Sequence, residues 1–446
     1  MLLRRAQGPL VIAARMGPSS CALSTTRIRA DSQSPRDDSA VSVRPEPPKR
    51  TGLLASLKKG SGGRSSFSGN VCTIFGASGK QGKHVVNRIA RDGTQIVIPH
   101  RCDPMDVRHL KIVGDLGQIL FFPFELRDEE AIRKAVKYSN VVINLIGKRY
   151  ETKKYSYNDV HVDGARRLAR IAREMGVQRF IHVSSMNATE TPEQFRIPGG
   201  SQFLKSKALG EQAVREEFPN AIIVRPSVIF GLGDHFTKSF VCKPRDADYL
   251  GTPVYRAGKH TYKMPVENTD VSNGIATLVN DPSWDGKTIE FVGPYCYQLY
   301  DMVRFMRYCT GRRPVGLIYN GYHPLFTAFV NLFDFKGRYL KWEPQFNWEI
   351  LENYEMHSDR LTGVPLLSDV IGAQNMHIYE WANRINLLEL DMSEARHLPH
   401  FHEEDPPEMV HYPPLYAPNV RKRQDQLRQP LKTTAKDFKH YTPVYV

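Results

Sequence analysis

Seven consecutive residues carry the clearest chemistry in this chain: Gly76-Ala77-Ser78-Gly79-Lys80-Gln81-Gly82. An apolar run, Val71 to Phe75, precedes them and an amphipathic helical pattern follows. Strand, glycine turn and helix start in that order make a cradle for a pyrophosphate. The N–H groups of the first helical turn and the positive end of the helix dipole face the anion. Gly76 suits the tight turn, Gly79 lets the pyrophosphate reach the backbone, and Gly82 lets helix and strand pack closely. A dinucleotide-binding unit is expected, with Ser78, Lys80 and Gln81 beside the glycines at the ligand. The alternative is a glycine-rich turn with no ligand, but the flanking strand and helix favour the cradle.

The end of the second strand chooses between nucleotides. NAD binders place an Asp or Glu about 20 residues after the glycines, where it bonds the ribose 2′-OH. Here the strand ends Ile98-Pro99-His100-Arg101. No carboxylate stands at its tip, and the Arg101 fork suits a 2′-phosphate, with Lys80 as an assistant. NADP(H) is the expected cofactor, one per chain. Asp103 keeps NAD open, and a solvated loop arginine is the plain alternative for Arg101.

These residues need a framework, and the pattern supplies one. Apolar strands are expected at Val71–Phe75, Gln95–Pro99, Ile119–Phe124, Asn140–Ile146, Arg179–Ser184 and Ala221–Val224. Helices at Lys80–Asp92, Asp128–Lys137, Tyr157–Met175 and Lys205–Glu217 alternate with them. Continuous apolar strands between helices predict an α/β fold, a doubly wound parallel sheet of Rossmann type over residues 70–235. Residues 236–396 are expected to form a smaller C-terminal lobe, with a helix at Thr269–Asn280, a strand at Lys287–Val292 and a helix at Tyr297–Cys309. The window Pro324 to Phe335 is the most aromatic and apolar. A buried helix is the plain reading, and a partner or membrane-interface contact is the other. Residues 31–69 read as a linker or extended arm, and residues 397–446 as an extended basic Pro/Tyr-rich tail. There is no internal repeat.

Composition narrows the class. The 446 residues suffice for two or three domains and a large core. No run of 18 apolar residues suggests a membrane-spanning helix. Six cysteines, Cys21, Cys72, Cys102, Cys242, Cys296 and Cys309, show no CxxC spacing. That argues against a structural zinc or a disulfide framework. Residues 1–30 hold Arg4, Arg5, Arg15, Arg27 and Arg29 and no acid, which is the composition of a mitochondrial presequence. A disordered basic tail is the alternative. Removing those five arginines from a formal +14 leaves +9, still basic, which favours an acidic partner, anionic lipid or a phosphate ligand.

Three further segments carry a family resemblance: Phe180-Ile181-His182-Val183-Ser184-Ser185, Gln202 to Glu211, and Arg225-Pro226-Ser227-Val228-Ile229-Phe230-Gly231. With the glycine loop and Asn144-Leu145-Ile146-Gly147 they resemble the extended and atypical short-chain dehydrogenase/reductase superfamily, over about residues 70 to 235. The resemblance implies nucleotide contacts from Leu145, Ile146, Ser184, Lys207 and Pro226. Active members use a Tyr four residues before a Lys as the proton donor, with a Ser at the end of the fifth strand orienting the substrate. Lys207 fits the Lys, and Ser184 or Ser185 fits the Ser. The Tyr position is Phe203, and a phenyl ring has no proton to exchange. Tyr155 and Tyr157 lack the spacing to replace it.

A cradle without its acid suggests a nucleotide held for structure. The runs Val141 to Val162, Met175 to Ala188, Ile98 to Phe121 and Phe218 to Phe236 resemble the NADPH-binding accessory subunits of mitochondrial respiratory complex I. The match runs from Gly63 to at least Phe236. This resemblance implies a peripheral subunit on the matrix side of the inner membrane, near the quinone-binding region. It would hold NADP(H) tightly and stand outside the electron path. Its partners would be other complex I subunits, with a membrane surface or lipid as a further contact and no nucleic acid. Two alternatives remain: an NADP-dependent reductase or epimerase with a displaced acid, and a nucleotide-sensing or RNA-binding adaptor. The one dense aromatic stretch carries few charges, which suits RNA poorly.

Overall fold

A computed structural model describes residues 60, 63, 65–231, 233–241, 252–309, 318–320, 324–339, 344, 347–376, 408–417 and 432–434. The expected presequence and most of the expected arm lie outside them. Seven parallel strands form the central sheet: β1 (Val71–Phe75), β2 (Gln95–His100), β3 (Ile119–Pro123), β4 (Val141–Asn144), β5 (Arg179–Val183), β6 (Ile222–Pro226) and β7 (Thr288–Phe291). Their order is β7-β6-β5-β4-β1-β2-β3. Strand succession reverses between β1 and β4, and that is where such sheets open a crevice for a ligand.

The two-residue period of a strand sends side chains alternately to two cores. Cys72, Ile74, Ile143 and Ile181 enter one core, with Val85, Val86 and Ile89 of helix α1 (Lys80–Arg91). Phe75, Val142 and Phe180 enter the other. Helices α2 (Glu129–Val136), α3 (Gly164–Glu174) and α4 (Gln202–Glu217) cover that second face. Both faces are therefore covered along the inner strands, as their unbroken apolar runs require, while edge strand β3 leaves Leu120 and Phe122 exposed. Local signals fix the helix starts. Asp128 accepts from Ala131 N at 3.1 Å, and Ser201 Oγ from Leu204 N at 3.3 Å.

Several expectations change here. The strand assigned to the smaller lobe is β7, the sheet's own edge beside β6. The helix expected beside it, α5 (Asn268–Asn280), packs Val271 and Ile275 into the first core and bonds to α1. Gln81 Nε2 donates to Asn268 O and Ser272 Oγ, both at 3.0 Å, and Arg88 Nε to Asn273 Oδ1 at 2.7 Å. Apolar residues state that a segment is buried, not which layer buries it, so the limit at 235 cuts through one packed unit. The helix expected from Tyr157 is present and continuous to Glu174, with a π-helical turn at Asp159–Asp163 leading into α3. The helix expected from Tyr297 starts later, as α6 (Leu299–Cys309), because Cys296–Gln298 pairs with Tyr262–Lys263 and with Glu408–Tyr412.

Within the expected extended tail, Glu408–Tyr412 lies on the chain's own lobe and pairs in turn with Lys432–Thr434. The aromatic window forms α7 (Pro324–Tyr339), and only part of it is buried. Val330 and Phe333 pack on Leu351, while Leu332, Phe335 and Tyr339 are exposed. Among the described residues no helix is long and apolar enough to cross a membrane.

Candidate functional site

At the sheet's switch point the glycine loop has the geometry its sequence foretells. Gly76 sits at φ +83°, where a Cβ would stand 3.0 Å from the Leu145 carbonyl carbon. A Cβ on Gly82 would lie 2.4 Å from Gly76 O and 2.6 Å from Ala77 O, so this glycine is demanded by packing alone. Gly79 differs. Its backbone is ordinary, φ −66° and ψ 167°, and an added Cβ would meet only Gly76 O, at 3.1 Å. It is the N-cap of α1, and the N–H groups of the turn it starts have no acceptor within the helix. No acid sits in that first turn, and Arg88 and Arg91 stand in the last one, so the dipole is left open to an anion.

A cleft of about 670 Å³ opens above the loop. Of the expected residues, Gly76, Ser78, Gly79, Lys80, Gln81, Gly82, Leu145, Ser184, Lys207 and Pro226 line it. The amide nitrogen of Gln81 is committed to α5. Two expected residues stand off the lining. Ile146 packs into the second core because its N–H is tied back to Asn144 Oδ1 at 3.0 Å. Arg101 lies at the rim, exposed, with its guanidinium 5.6 Å from the Tyr155 ring centre.

At the far end, Phe203 faces the cleft and rests edge-on against the rings of His161 and Tyr157, at 5.5 and 6.2 Å. Neither nearby tyrosine replaces the missing acid. Tyr157 is buried and donates to Arg149 O at 2.8 Å, and burial, with Glu349 next in effect, drives its hydroxyl far above the usual range. Tyr155 donates to Glu125 at 2.9 Å. Lys207 is buried, donates to Val183 O at 3.1 Å, and is brought down to about 8 by burial, with Glu211 opposing. Ser184 Oγ is buried against the cleft and bonds to no other group among the described residues. A buried hydroxyl without a partner fits a site that receives a polar ligand. His161 Nε2 accepts from Lys148 N at 3.0 Å, so its Nδ1 carries the proton and faces Ser206 Oγ at 2.7 Å. Burial first, then the Lys207 charge, keep this imidazole neutral.

The lobe supplies the residues that sequence reasoning missed. Asp359 accepts from Ser227 Oγ, from Met264 N at 3.0 Å and from Lys263 Nζ at 3.1 Å, and both members of the ion pair are buried. Glu349 caps α4 from outside: it accepts from Ser201 Oγ at 2.6 Å, Gln202 N at 3.0 Å and Phe203 N at 3.3 Å. Glu352 takes Ile197 N at 3.1 Å. No local motif announces these carboxylates, whose partners lie 95 to 155 residues away.

The loop, the crevice and the unpartnered serine together can hold a dinucleotide with its pyrophosphate at Gly79 and its far ring beside Ser184 and Phe203. Residues 76–258 match the NAD(P)H-binding family. The chain is 46% identical over 255 residues to "NADH dehydrogenase [ubiquinone] 1 alpha subcomplex subunit 9, mitochondrial" of Mus musculus, a match covering 56% of this chain and 64% of that protein. It is 39% identical over 236 residues to the mitochondrial "NADH-ubiquinone oxidoreductase 40 kDa subunit" of Neurospora crassa (53% and 59% covered). The Arabidopsis thaliana subunit 9 protein is 37% identical over 260 residues (58% and 62%). The chain thus spans roughly three-fifths of the length of these relatives. Over its sheet and glycine loop the chain matches the NAD(P)H-binding family model, and it is similar over part of its length to complex I subunits of the subunit 9 type.

Proposed function

We propose that this chain is a non-catalytic, NADP(H)-holding accessory subunit of mitochondrial complex I, peripheral on the matrix side, whose nucleotide supports folding and assembly. One observation carries the reading. Phe203 stands where a reductase needs its acid, in a cleft that keeps the phosphate cradle, the lysine and the serine. Such a site can bind without turning over. The basic first 30 residues, read as a presequence, and the mitochondrial names of the relatives support the address. Arg101, at the cleft rim with no carboxylate at the tip of its strand, supports the 2′-phosphate.

The test is to extract the assembled complex in detergent and identify the nucleotide that stays with this subunit. NADP(H) near one per chain is expected, lost in Arg101→Asp. Recovery of NAD(H) alone would overturn the cofactor assignment. A second reading, a reductase with a displaced acid, has one observation in its favour. Tyr354 Oη accepts from Arg149 Nη1 at 3.0 Å, which leaves its proton free, and both residues line the cleft. Substrate-dependent NADPH consumption by the isolated chain, abolished by Tyr354→Phe, would decide for it.

A further inference from the structure

A second cation shares the rim with Arg101. Lys148 follows β4 and Arg101 follows β2, and β1 with its glycine loop lies between those strands. The two therefore approach the mouth of the cradle from opposite sides. Both stand on one ring: the Arg101 guanidinium lies 5.6 Å from the Tyr155 centroid and Lys148 Nζ 5.5 Å. Lys148 also lines the cleft. Its main chain is fixed by the bond from its N–H to His161 Nε2, and its Nζ donates to Thr152 Oγ1 at 3.2 Å. That uses one of three ammonium protons.

The other charges around Tyr155 are already engaged. Arg127, 4.6 Å from the ring, donates to Lys154 O at 3.0 Å and faces Asp159 at 3.8 Å. Glu125 accepts the Tyr155 hydroxyl. Neither Arg101 nor Lys148 makes an ion pair among the described residues. Lys148 is half-buried and Arg101 exposed, and like charges on one ring repel. Burial, and after it the charge of Arg101, hold the Lys148 ammonium below the usual lysine range. Such an arrangement is a standing cost unless a group of high negative charge comes between them. A phosphate monoester, close to a dianion at neutral pH and rich in acceptors, suits that position; a bare ribose hydroxyl offers no charge to offset the repulsion.

We propose that Lys148 is the second arm of a two-sided clamp, with Arg101, on the 2′-phosphate of NADP(H), and so a determinant of selection against NAD(H). The proposal rests on the NADP(H) reading above.

Dissociation constants of the full chain for NADPH and NADH, and for the fragments 2′,5′-ADP and 5′-AMP, test it. Lys148→Gln should weaken NADPH and 2′,5′-ADP by about 10- to 100-fold, the range of one charge-assisted hydrogen bond, while NADH and 5′-AMP stay within about threefold. Lys148→Arg should restore most of the NADPH affinity. In wild type, the binding of 2′,5′-ADP should fall more steeply with salt than in Lys148→Gln. Equal losses for NADPH and NADH would show that Lys148 only shapes the loop and would overturn the clamp while leaving NADP(H) as the cofactor. No loss for either nucleotide would overturn it as well. Wild type binding NADH as tightly as NADPH would overturn the NADP(H) reading itself, and the clamp with it.

Discussion

Two glycines three residues apart in the same loop should respond to alanine in opposite ways. At Gly82 a methyl would stand 2.4 and 2.6 Å from two main-chain carbonyl oxygens, which cannot rotate away. Gly82→Ala should therefore lower the stability of the ligand-free protein by about 1–3 kcal/mol, as overpacking does. At Gly79 the backbone angles suit any residue, and the one close neighbour is Gly76 O at 3.1 Å. Alanine there loses a little as an N-cap and gains a little from the unfolded chain, a net change within about 1 kcal/mol. Its methyl would, however, occupy the place where a pyrophosphate must approach. At a ligand concentration a thousandfold over Kd, binding stabilises the wild type by about 4.1 kcal/mol. A hundredfold loss of affinity leaves about 1.4 kcal/mol at the same concentration. With roughly 2–4 °C per kcal/mol, the NADPH-induced rise in Tm should fall from about 8–16 °C to about 3–6 °C. Thermal unfolding of the two variants, with and without NADPH, reads both effects. Gly79→Ala keeping the full NADPH-induced rise would refute the placement of the pyrophosphate.

Three further outcomes are expected. Wild type should oxidise NADPH at background rates with simple carbonyl substrates; turnover that disappears in Ser184→Ala would refute the idle-site reading. Lys207 is brought down to about 8 in the fold against an ordinary 10.5, so the unfolded chain binds more protons between those values. The contribution of Lys207 to ligand-free stability should then rise with pH through about 8 to 10.5, and be fully present only above that window. Lys207→Met should flatten this part of the stability curve, and an unchanged curve in urea titrations would refute the assignment. Asp359→Ala leaves Lys263 buried without its counter-charge and should cost about 3–5 kcal/mol, with Asp359→Asn milder. Equal melting temperatures for wild type and Asp359→Ala would refute that ledger of charges.

The sequence made the glycine loop legible because its requirements are local. A positive φ at Gly76 and a close helix–strand contact at Gly82 leave their mark at the residue concerned. Phe203 was legible for the same reason, through its spacing to Lys207. Partners chosen across the fold left no such mark. The apolar residues of β7 announce a strand, but its place beside β6 is decided by tertiary packing. Glu349 and Asp359 look like ordinary surface carboxylates in the sequence, and only the folded chain brings them to α4 and to Ser227. Lys148 directly follows a motif that draws attention to Leu145 and Ile146. Its role depends on a ring, Tyr155, which a reading centred on a missing tyrosine weighs only as a stand-in acid. The aromatic α7 was half legible: composition signals apolar residues, and only the packing on Leu351 separates the buried Val330 and Phe333 from the exposed Phe335.

The segment from Asn347 to Leu361 has a consequence for the order in which the protein matures. Glu349 closes the start of α4 across 146 to 148 residues, Glu352 holds Ile197 across 155, and Asp359 holds Ser227 across 132. Contacts so distant in sequence form late, after the local strands and helices have met. A chain emerging from N- to C-terminus completes its glycine loop early, with more than 250 residues still to come. It can fasten the walls around Phe203 and Ser227 only once residue 361 is available. On the proposed NADP(H) reading, the wall at the glycine loop therefore closes before the wall at Phe203 and Ser227, and a nucleotide arriving in between would be gripped at one end only. Full retention becomes a report that nearly the whole chain has folded.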